Sequence, residues 1–561
     1  MANSKKSDDV LDEKSSAWTQ EVVTPGKLSK AVAVVLFILP SFFSKPFQRF
    51  VLRSKSGVEP QPSLNATSYL DGLRGMAALI VYMFHYSYRW YGRLGHGWGS
   101  DEADHWFLQL PIIRVIHSGR ASVTTFFVIS GFVLTVRPLT LLHRGQPDRL
   151  FDALGGALFR RPFRLFLPIT ASTAIIATLC QLNVFNRYAA PPTHANTPGQ
   201  QFQHWIRSLV DLWNPFGAIN GRKTRYGNPY DGNLWTIPVE FKGSVLVFLL
   251  LLALLRARCW IRLMVVATST CWLIHREDFD MALFTGGLFL AELSIILPPA
   301  RARAAPTGRW GRLLALVTRR EKNARLMHLL RHAATIACFL VSLWLTGYPQ
   351  DNGQKSPWYQ TLSKITPTVF ATNEESKQFF WLGCGSLLLF ASLMYSPPLR
   401  MATASDGMSR DSDPYSPQAT SLLGQSPVSN EDQGFNPAAQ PLLQRPFTTR
   451  FVQYLGRHSY SLYLAHDSVN HVVCNSYLRP ANAAFAQAEA AHKQLVAEGN
   501  RIVEAAALME AAQWAYWRTF LLATFMNTLV LFCVSDLFTR AVDVNCVKMA
   551  RRFQRWAWGR S

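Results

Sequence analysis

Charged residues are scarce in this chain of 561 residues: they make up 16% of it, and Asp and Glu together number 35 against 57 Lys and Arg. Hydrophobic residues reach 49% and gather into long uncharged runs, a distribution typical of membrane proteins rather than of several soluble domains. The net charge of +22 would suggest nucleic-acid binding in a soluble protein, but here the Lys and Arg lie mostly between the apolar runs. We therefore expect an integral membrane protein with no nucleic-acid partner.

The spacing of the cysteines and histidines argues against a metal site, and the first residues of the chain argue against a cleavable signal peptide. The eight cysteines form no Cys-x-x-Cys pair and lie mainly in or beside apolar runs, so we interpret them as small buried apolar residues. The histidines lack ligand spacing with carboxylates or thiols, and we therefore expect no metal ion. Residues 1–27 are polar and of mixed charge, so we expect no cleavable signal peptide there.

The apolar runs predict an all-α fold, a polytopic bundle of about ten transmembrane helices, each ~15 to 25 residues long. The spans are expected to begin near Met76, Ser122, Leu165, Gly243, Cys259, Met281, Arg331, Phe379, Ser459 and Tyr516. A shorter run at residues 31–43 is interrupted by Pro40 and predicts an interfacial helix. Membrane lipids are therefore expected partners, and the oligomeric state is left open.

The basic connections between spans predict one orientation in the membrane. Residues 300–332 hold nine Lys and Arg against the single acid Glu321, and the positive-inside rule places such a segment in the cytosol. Counting spans outward from it puts the connection at 137–164 and both termini on the same side. We expect a multi-pass protein of the endomembranes (ER or Golgi) or of the plasma membrane, with both termini cytosolic.

Composition divides the chain into five expected segments. A stretch rich in Ser, Pro, Gln and Asp has too few apolar residues to bury a core, and it predicts a disordered cytosolic loop. Another stretch, at 481–512, is rich in Ala, Glu and Gln and predicts a surface helix on the opposite side of the membrane. The segments are a cytosolic N-terminal segment with the interfacial helix (1–66), the first eight spans of the bundle (67–401), the disordered loop (402–448), the last two spans (449–545) and a basic cytosolic tail (546–561).

The first polar group inside a predicted span is the sequence LDGLRGMAALIVYMFH at residues 70–85. Polar groups within lipid are costly, so Asp71, Arg74 and His85 are candidates for function. Eleven residues separate Arg74 from His85, which places them only about 20° apart around a helix and roughly 16 Å apart along it. With an ordinary pKa of about 6.5, His85 could take a proton from an alcohol. A histidine that only packs between helices is the alternative.

Two motifs at the next spans combine small or basic residues with aromatic ones. In FFVISGF, at residues 126–132, the small and hydroxyl residues, among them Ser130, would let a helix or a ligand approach closely, and helix packing alone explains them equally well. In RRPFR, at 160–164, Arg161 and Arg164 suit a phosphate-bearing ligand because guanidinium groups bind phosphate through bidentate hydrogen bonds. Arginines that only fix the orientation of the span are the alternative.

The last two motifs place polar groups later in the chain. Glu240 follows LWTIPV, residues 234–239, at the expected outer end of the fourth span, where it would either favour the helix dipole or orient a hydroxyl or a histidine. The sequence LGRHSYSLYLAH, residues 455–466, ends on His466, a histidine within the predicted ninth span. Tyr460 lies in this sequence and is either a site residue or an interfacial anchor.

Taken together, these motifs resemble the acyltransferase 3 family, whose members show LDGLRGxAAxxVxxxH, FFxxSGF, RxxR, LWxxxxE and LGxxSYSxYLxH. All five occur here in this order, between Leu70 and His466. The resemblance implies a bundle of about ten helices that transfers an acyl group from acyl-CoA, with acetyl-CoA first among the donors, to a hydroxyl of a carbohydrate, lipid or small metabolite. The insertion at 402–443 and the residues after Glu240 depart from bacterial-type members and suggest a eukaryotic, fungal-type one.

The resemblance also implies roles for single residues. Arg74, Arg161 and Arg164 would hold the phosphates of acyl-CoA as it docks from the cytosol. Its thioester would reach toward His85, and the hydroxyl acceptor would arrive from the far side. The implied catalytic residues are His85 as general base, Glu240, Asp71 and Ser130, and the implied substrate-binding residues are Trp235, Tyr460 and His466.

Three alternatives remain at this stage. An acyl-enzyme through Ser130 or His85 would replace direct transfer. A transporter or flippase of an acylated or anionic substrate would also place His, Arg and Glu inside the membrane, although we find no inverted repeat in the sequence. A regulatory scaffold without activity would leave the charged groups on the His85 face unexplained.

Overall fold

The computed structural model describes residues 64–185, 194–214, 228–299, 321–371, 373–399, 440–497 and 501–559. Within these ranges the backbone is mainly helical, and the only β-type pairings are two isolated bridges, His96 with Asp351 and Pro398 with Pro441. The expectation of an all-α fold is confirmed. The predicted interfacial helix at 31–43 and most of the predicted disordered loop, residues 402–439, lie outside the described residues.

Thirteen helices longer than ten residues follow one another in the described ranges, joined by loops and short helical turns. A helix that crosses a bilayer needs ~20 mainly apolar residues, and several of these helices meet that length. The helices are α1 (Ser68–Trp90), α2 (Gly119–His143), α3 (Pro147–Gln181), α4 (Pro198–Trp213), α5 (Thr236–Ala253), α6 (Cys259–His275), α7 (Phe279–Ile296), α8 (Glu321–Thr346), α9 (Glu374–Tyr395), α10 (Arg450–Val469), α11 (Asn475–Ala497), α12 (Ile502–Phe538) and α13 (Val544–Ala557).

Seven stretches of the described chain are long and apolar enough to cross a membrane, judged by length and composition. They lie in α2, α3, α5, α7, α8, α9 and the continuous stretch of α12 and α13. Helix α6, with 17 residues, is a shorter apolar helix, while α1 and α10 carry polar motifs that lower their hydropathy. The chain is an integral membrane protein with about seven candidate spans, and the count of ten stays a prediction.

Glycines determine how closely α1 and α10 approach each other. A Cβ added to Gly75 would lie 2.3 Å from the Gly456 nitrogen, and one added to Gly456 would lie 2.5 Å from the Asp71 carbonyl oxygen. Neither position has room for a side chain, so the two backbones touch. His85 and His466 each follow ten residues after their glycine, and their ring centroids are 5.1 Å apart. The glycine crossing of these parallel helices therefore sets the register of the two histidines.

Residues 91–118 form a folded cap over the end of the bundle where α1 stops, and we call this the loop end. Asp104 is fully buried in the cap and accepts hydrogen bonds of 2.7–3.2 Å from the side chains of Arg93, His96, Ser100 and Gln109. Burial alone would raise the pKa of Asp104, but these hydrogen bonds lower it to about 2. The opposite end, where α1 and α10 begin, we call the arginine end because of its basic side chains.

One prediction near the C-terminus is wrong. The stretch 481–512 is not one surface helix, because α11 and α12 divide it and α12 continues without a break into the tenth predicted span. Gly499 and Asn500 lie between the two helices in sequence, and both residue types disfavour helix interiors. They could have indicated the break, but the many alanines around them favour helix. The predicted basic tail, 546–561, contains most of α13, and its cytosolic position stays a prediction.

Candidate active site

Most of the polar residues singled out in the sequence lie along one path through the bundle, which we call the polar track. It has three parts: an entrance at the arginine end, a middle part, and a histidine pair near the loop end. The charge of Arg164 at the entrance acts on Arg161 in the middle part. The charge of Glu240 in the middle part acts on Tyr460 and Tyr463, which lie on the helix that carries His466. The residues of the polar track are Asp71, Arg74, Arg164, Arg161, Glu240, Ser130, His85 and His466.

The entrance lies at the start of α1. The carboxylate of Asp71 and the guanidinium of Arg74 are 4.0 Å apart, one helical turn from each other, and Arg164 on α3 is within electrostatic range of both. Asp543, in the wide helical turn between α12 and α13, acts on Arg164 and Arg74 as well. The structure thus brings together the three entrance residues named from the sequence. Sequence reasoning missed Asp543, which belongs to none of the five motifs.

Glu240 is the centre of the middle part. Its Oε1 accepts a hydrogen bond from Arg161 at 2.7 Å and another from Ser130 at 3.3 Å. Arg161 also donates through Nε to the hydroxyl of Ser244 at 2.9 Å, a partner one turn after Glu240 that sequence reasoning missed. The Arg161 and Glu240 side chains keep 10% and 25% of their surface accessible, so this ion pair is only partly buried.

This pairing corrects the positions expected from the sequence, which put Arg161 at the cytosolic mouth of one span and Glu240 at the outer end of the next. Helix α3 already begins at Pro147, so Arg161 lies about four turns inside it. Glu240 likewise lies more than a turn inside α5. Glu240 balances the charge of Arg161, and contact of Arg161 with a phosphate stays a prediction.

The motif that contains Ser130 serves two purposes at adjacent residues. A Cβ added to Gly131 would lie 2.2 Å from the Phe284 carbonyl oxygen, so α2 and α7 cross here in backbone contact. Ser130 instead donates to Glu240 across to α5. Helix packing therefore explains Gly131, and a hydrogen bond to the ion pair explains Ser130.

The histidine pair lies about three turns beyond the glycine crossing. His466 is fully buried; its Nδ1 donates to the Tyr463 carbonyl oxygen at 2.6 Å, which leaves Nε2 to accept from the Asn233 amide at 3.4 Å. Among the described residues, none forms a hydrogen bond with His85, and its side chain is partly accessible. The ring of His466 is therefore fixed, while His85 has a nitrogen that can receive a proton.

Two residues expected to bind substrate have structural contacts. The hydroxyl of Tyr460 donates to the Leu165 carbonyl oxygen at 2.6 Å, so Tyr460 joins α10 to α3 inside the bundle instead of anchoring a helix at the membrane surface. Trp235 ends the short helical turn before α5 and packs, partly buried, against the main apolar core. Contact of either side chain with a substrate stays a prediction.

An acidic pair, Asp231 and Asp467, lies beside the histidines. One oxygen of Asp231 accepts from the Asn233 backbone nitrogen at 2.8 Å, while its buried Oδ2 has no hydrogen-bond partner among the described residues. Burial and the nearby Asp467 carboxylate raise the pKa of Asp231 to about 8. The raised pKa favours the protonated form of the Asp231 carboxyl. Sequence reasoning gave neither aspartate a role.

A second polar cluster lies outside the polar track, where α2, α6 and α7 meet at the arginine end. Arg262 donates to both carboxylate oxygens of Glu292, and His143 Nε2 and Cys259 Sγ lie 2.8 Å and 3.2 Å from the same carboxylate. The ligand atoms of His143, Cys259 and Glu292 lie within 4.8 Å of one another, a grouping the sequence did not predict. His143 is exposed, but the Arg262–Glu292 pair at the centre is buried, and a cation would have to displace Arg262 from it. We therefore interpret this group as a packing element and call it the sealed cluster after its buried pair.

Comparison with known sequences identifies the family. The sequence model of the acyltransferase 3 family, an acyltransferase domain, matches residues 67–536. The chain belongs to this family. The matched part of this acyltransferase 3 member contains all three parts of the polar track and stops within α12, before Asp543 and α13.

Three curated fungal proteins are similar to this acyltransferase. O-acetyltransferase PaAT-1 of Phomopsis amygdali is 29% identical over 426 residues, 72% of each chain. Acyltransferase clz18 of Cochliobolus lunatus is 23% identical over 60% of this chain and 77% of its own, and acyltransferase R4 of Phoma sp. is 22% identical over 72% and 83%. No solved structure matches. Family and relatives together show that the protein is a membrane O-acyltransferase.

Proposed function

We propose that this O-acyltransferase takes its acyl group from acyl-CoA and transfers it to a hydroxyl, with His85 as the general base. The contrast within the histidine pair supports this most. His466 has both ring nitrogens in hydrogen bonds, whereas His85 is partly accessible and forms none with the described residues. A side chain that must take up and release a proton needs such an available nitrogen.

The proposed reaction needs no covalent enzyme intermediate. His85 takes the proton of the acceptor hydroxyl as the hydroxyl oxygen attacks the thioester carbonyl carbon. The carbon–sulfur bond of the tetrahedral intermediate then breaks, and the coenzyme A thiolate leaves with the proton from His85. An acyl-enzyme through Ser130 is less well supported, because its hydroxyl donates to Glu240, which is paired with Arg161.

The middle part of the polar track would supply a fixed cation to the transferring group. Glu240 and Ser244 hold the guanidinium of Arg161 in one orientation. A fixed cation can stabilise the negative charge that develops on the thioester oxygen without reorganising during the reaction. We therefore assign Arg161 to the transferring group and not to the phosphates of the donor.

The donor and the acceptor would enter from opposite ends. Acyl-CoA enters at the arginine end, where Arg74 and Arg164 lie, and this end faces the cytosol if the positive-inside rule holds. The acceptor enters at the loop end, where Asp231 and Asp467 lie beside the histidine pair. Both termini would then be cytosolic, in an endomembrane or in the plasma membrane.

The family supports the proposed chemistry of the donor and acceptor. The PaAT-1 relative is named an O-acetyltransferase, which favours acetyl-CoA as the donor. The acceptor would be a carbohydrate, a lipid or a small metabolite with a hydroxyl that reaches His85 from the loop end. No metal takes part in the proposed reaction.

Labelled acetyl-CoA tests the proposal. Purified protein is incubated with acetyl-CoA carrying a labelled acetyl group and with metabolite and lipid extracts from a strain that lacks the gene. We expect one labelled ester, identical to an ester missing from the deletion strain, and an equal amount of released coenzyme A. Movement of a substrate across vesicles without any release of coenzyme A would contradict the proposal and indicate a transporter.

A further inference from the structure

The segment before α5, residues 228–233, carries three polar side chains close to the histidine pair. Asn228 and Asp231 are each only 3% exposed. The side-chain amide of Asn233 lies 3.4 Å from Nε2 of His466. The segment ends just before the LWxxxxE motif and belongs to none of the five motifs, so the sequence assigned it no function.

The side chains of Asn228 and Asp231 are fixed in the same way. Oδ1 of Asn228 accepts a hydrogen bond from the backbone nitrogen of Tyr230 at 2.9 Å. Oδ1 of Asp231 accepts one from the backbone nitrogen of Asn233 at 2.8 Å. A bond to the backbone two residues on is typical of Asn and Asp in turns. It restricts the rotation of each side chain and therefore of its second polar atom.

Tyr230 fixes the segment to its neighbours. Its hydroxyl lies 2.8 Å from the side-chain nitrogens of Gln201 and His204, both on α4. Its ring is buried in an apolar cluster that includes Cys180 at the end of α3 and Phe185 beyond it. The position of the segment is therefore set by contacts within the protein and needs no ligand to form.

One polar atom on each of the two side chains lacks a partner. Nδ2 of Asn228 and Oδ2 of Asp231 are buried and form no hydrogen bond within the described part of the chain. Nearly all buried polar atoms of native proteins are paired with protein, water or ligand, because an unpaired one has lost its hydration without compensation. Two such atoms, three residues apart and beside the histidine pair, indicate a binding position.

The chemistry of the two atoms favours a hydroxyl group. The Asn228 amide can only donate, whereas the Asp231 carboxyl accepts when ionised and donates when protonated. A hydroxyl has one proton and two lone pairs, so it can pair with both atoms in either state. An ammonium group cannot accept from Asn228, and the Asp467 carboxylate, which acts on Asp231, disfavours an anion.

We propose that Asn228 and Asp231 bind a second hydroxyl of the acceptor while its reacting hydroxyl lies at His85. The acceptor is accordingly a diol or a polyol, and the site selects it over an alcohol with a single hydroxyl. The inference rests on the proposed function, in which His85 is the base for the acceptor. It adds two acceptor-binding residues that lie outside the five motifs.

The test begins with the labelled ester that the purified enzyme forms from labelled acetyl-CoA and the extract of the deletion strain. Deuterated acetic anhydride marks each free hydroxyl of this ester, and mass spectrometry counts the marks. We expect at least one free hydroxyl, and an ester without any would overturn the proposal. Failure of the proposed function looks different, since no labelled ester would then form.

Two substrates prepared from the ester test the residues. Mild base releases the acceptor itself, and methylation of the free hydroxyls before this step gives an O-methyl acceptor in which only the reacting hydroxyl is free. Asp231→Ser keeps an oxygen for the Asn233 backbone nitrogen and removes Oδ2. This variant should raise the KM for the acceptor about tenfold, the effect of losing one hydrogen bond, with little change in kcat. The KM for the O-methyl acceptor should stay unchanged.

Asn373 supplies a matched control, because its Oδ1 accepts from the Glu375 backbone nitrogen at 2.9 Å in the same kind of turn, but its side chain is exposed. Asn373→Ser should leave both KM values unchanged. An unchanged KM for the acceptor in folded Asp231→Ser would overturn the proposal and indicate that water alone pairs with the two atoms. An equal rise for both substrates would overturn it as well, because it would indicate a general disturbance of the site.

A second variant keeps the test decisive if Asp231→Ser does not fold. Asn228→Ser keeps an oxygen for the Tyr230 backbone nitrogen and removes the amide donor Nδ2. It should give the same rise of about tenfold for the acceptor alone. The same two contrary results would overturn the proposal.

Discussion

The bundle holds two arginine–glutamate pairs that are alike in chemistry and different in surroundings. Arg161 and Glu240 belong to the polar track, whereas Arg262 and Glu292 belong to the sealed cluster. The side chains of the first pair keep 10% and 25% of their surface accessible, and those of the second keep 5% and 3%. Only the first pair can therefore meet a substrate without a rearrangement of the helices.

The number of partners on each carboxylate explains the difference. Glu292 is bonded at both oxygens by Arg262 and has His143 and Cys259 beside it. Glu240 is bonded at Oε1 only, within the described part of the chain. A buried charge with all its partners supplied by protein contributes to packing, while one with a free oxygen can still interact with a ligand.

Removal of Arg262 should have the largest effect. Arg262→Ala leaves the buried carboxylate of Glu292 without its cation, and we expect the free energy of unfolding to fall by about 3–5 kcal/mol. The thermal unfolding temperature in detergent measures this loss. Arg161→Ala should cost less, because Glu240 is 25% accessible and can be hydrated. Equal losses in the two variants would show that the pairs do not differ as described.

Neutralising Glu240 should have the next largest effect, and it should act on activity. Glu240→Gln loosens Arg161, and we expect kcat for acyl transfer to fall about 100-fold with little change in the unfolding temperature. Glu292→Gln is the matched control, expected to lower the unfolding temperature while the activity of each folded molecule stays near that of the wild type. Full activity in Glu240→Gln would remove the middle part from the proposed site.

The smallest effect concerns the cap at the loop end, which is remote from both pairs. Burial and the charge of Arg114 together lower the pKa of His117 to about 4, despite its hydrogen bond to the Leu108 carbonyl oxygen. The folded state thus holds His117 neutral, so its contribution to stability is complete above the ordinary pKa of about 6.5 and is lost as the pH falls toward 4. We expect the unfolding temperature to drop by a few degrees between about pH 7 and pH 5.

His117→Gln keeps a hydrogen-bond donor for the Leu108 carbonyl oxygen but cannot titrate. This variant should therefore show a smaller drop over the same pH range. A drop as large as that of the wild type would assign the pH dependence to other groups and leave the cap without a role in it.

The sequence predicted the members of the polar track better than their partners. The five motifs named His85, His466, Ser130 and Glu240, and the structure places all four on the track. The pairing of the two histidines could also have been predicted, since each stands ten residues after a glycine in a helix-packing position.

The ion pairs could not be predicted in the same way. Arg161 and Glu240 are 79 residues apart, and their meeting depends on how far each helix extends beyond its apolar stretch. The sealed cluster likewise depends on contacts between distant helices. Hydropathy alone reports the length of a span and not the depth of a side chain within it.

Release of coenzyme A from acetyl-CoA by purified protein, measured with and without the hydroxyl acceptor, tests the role of His85 most directly. We predict that His85→Ala lowers the acceptor-dependent rate by at least about 100-fold while the unfolding temperature stays near that of the wild type. His143→Ala, a histidine of the sealed cluster, should keep the wild-type rate per folded molecule. Acceptor-dependent release by His85→Ala at the wild-type rate would contradict the proposal that His85 is the base of this acyltransferase.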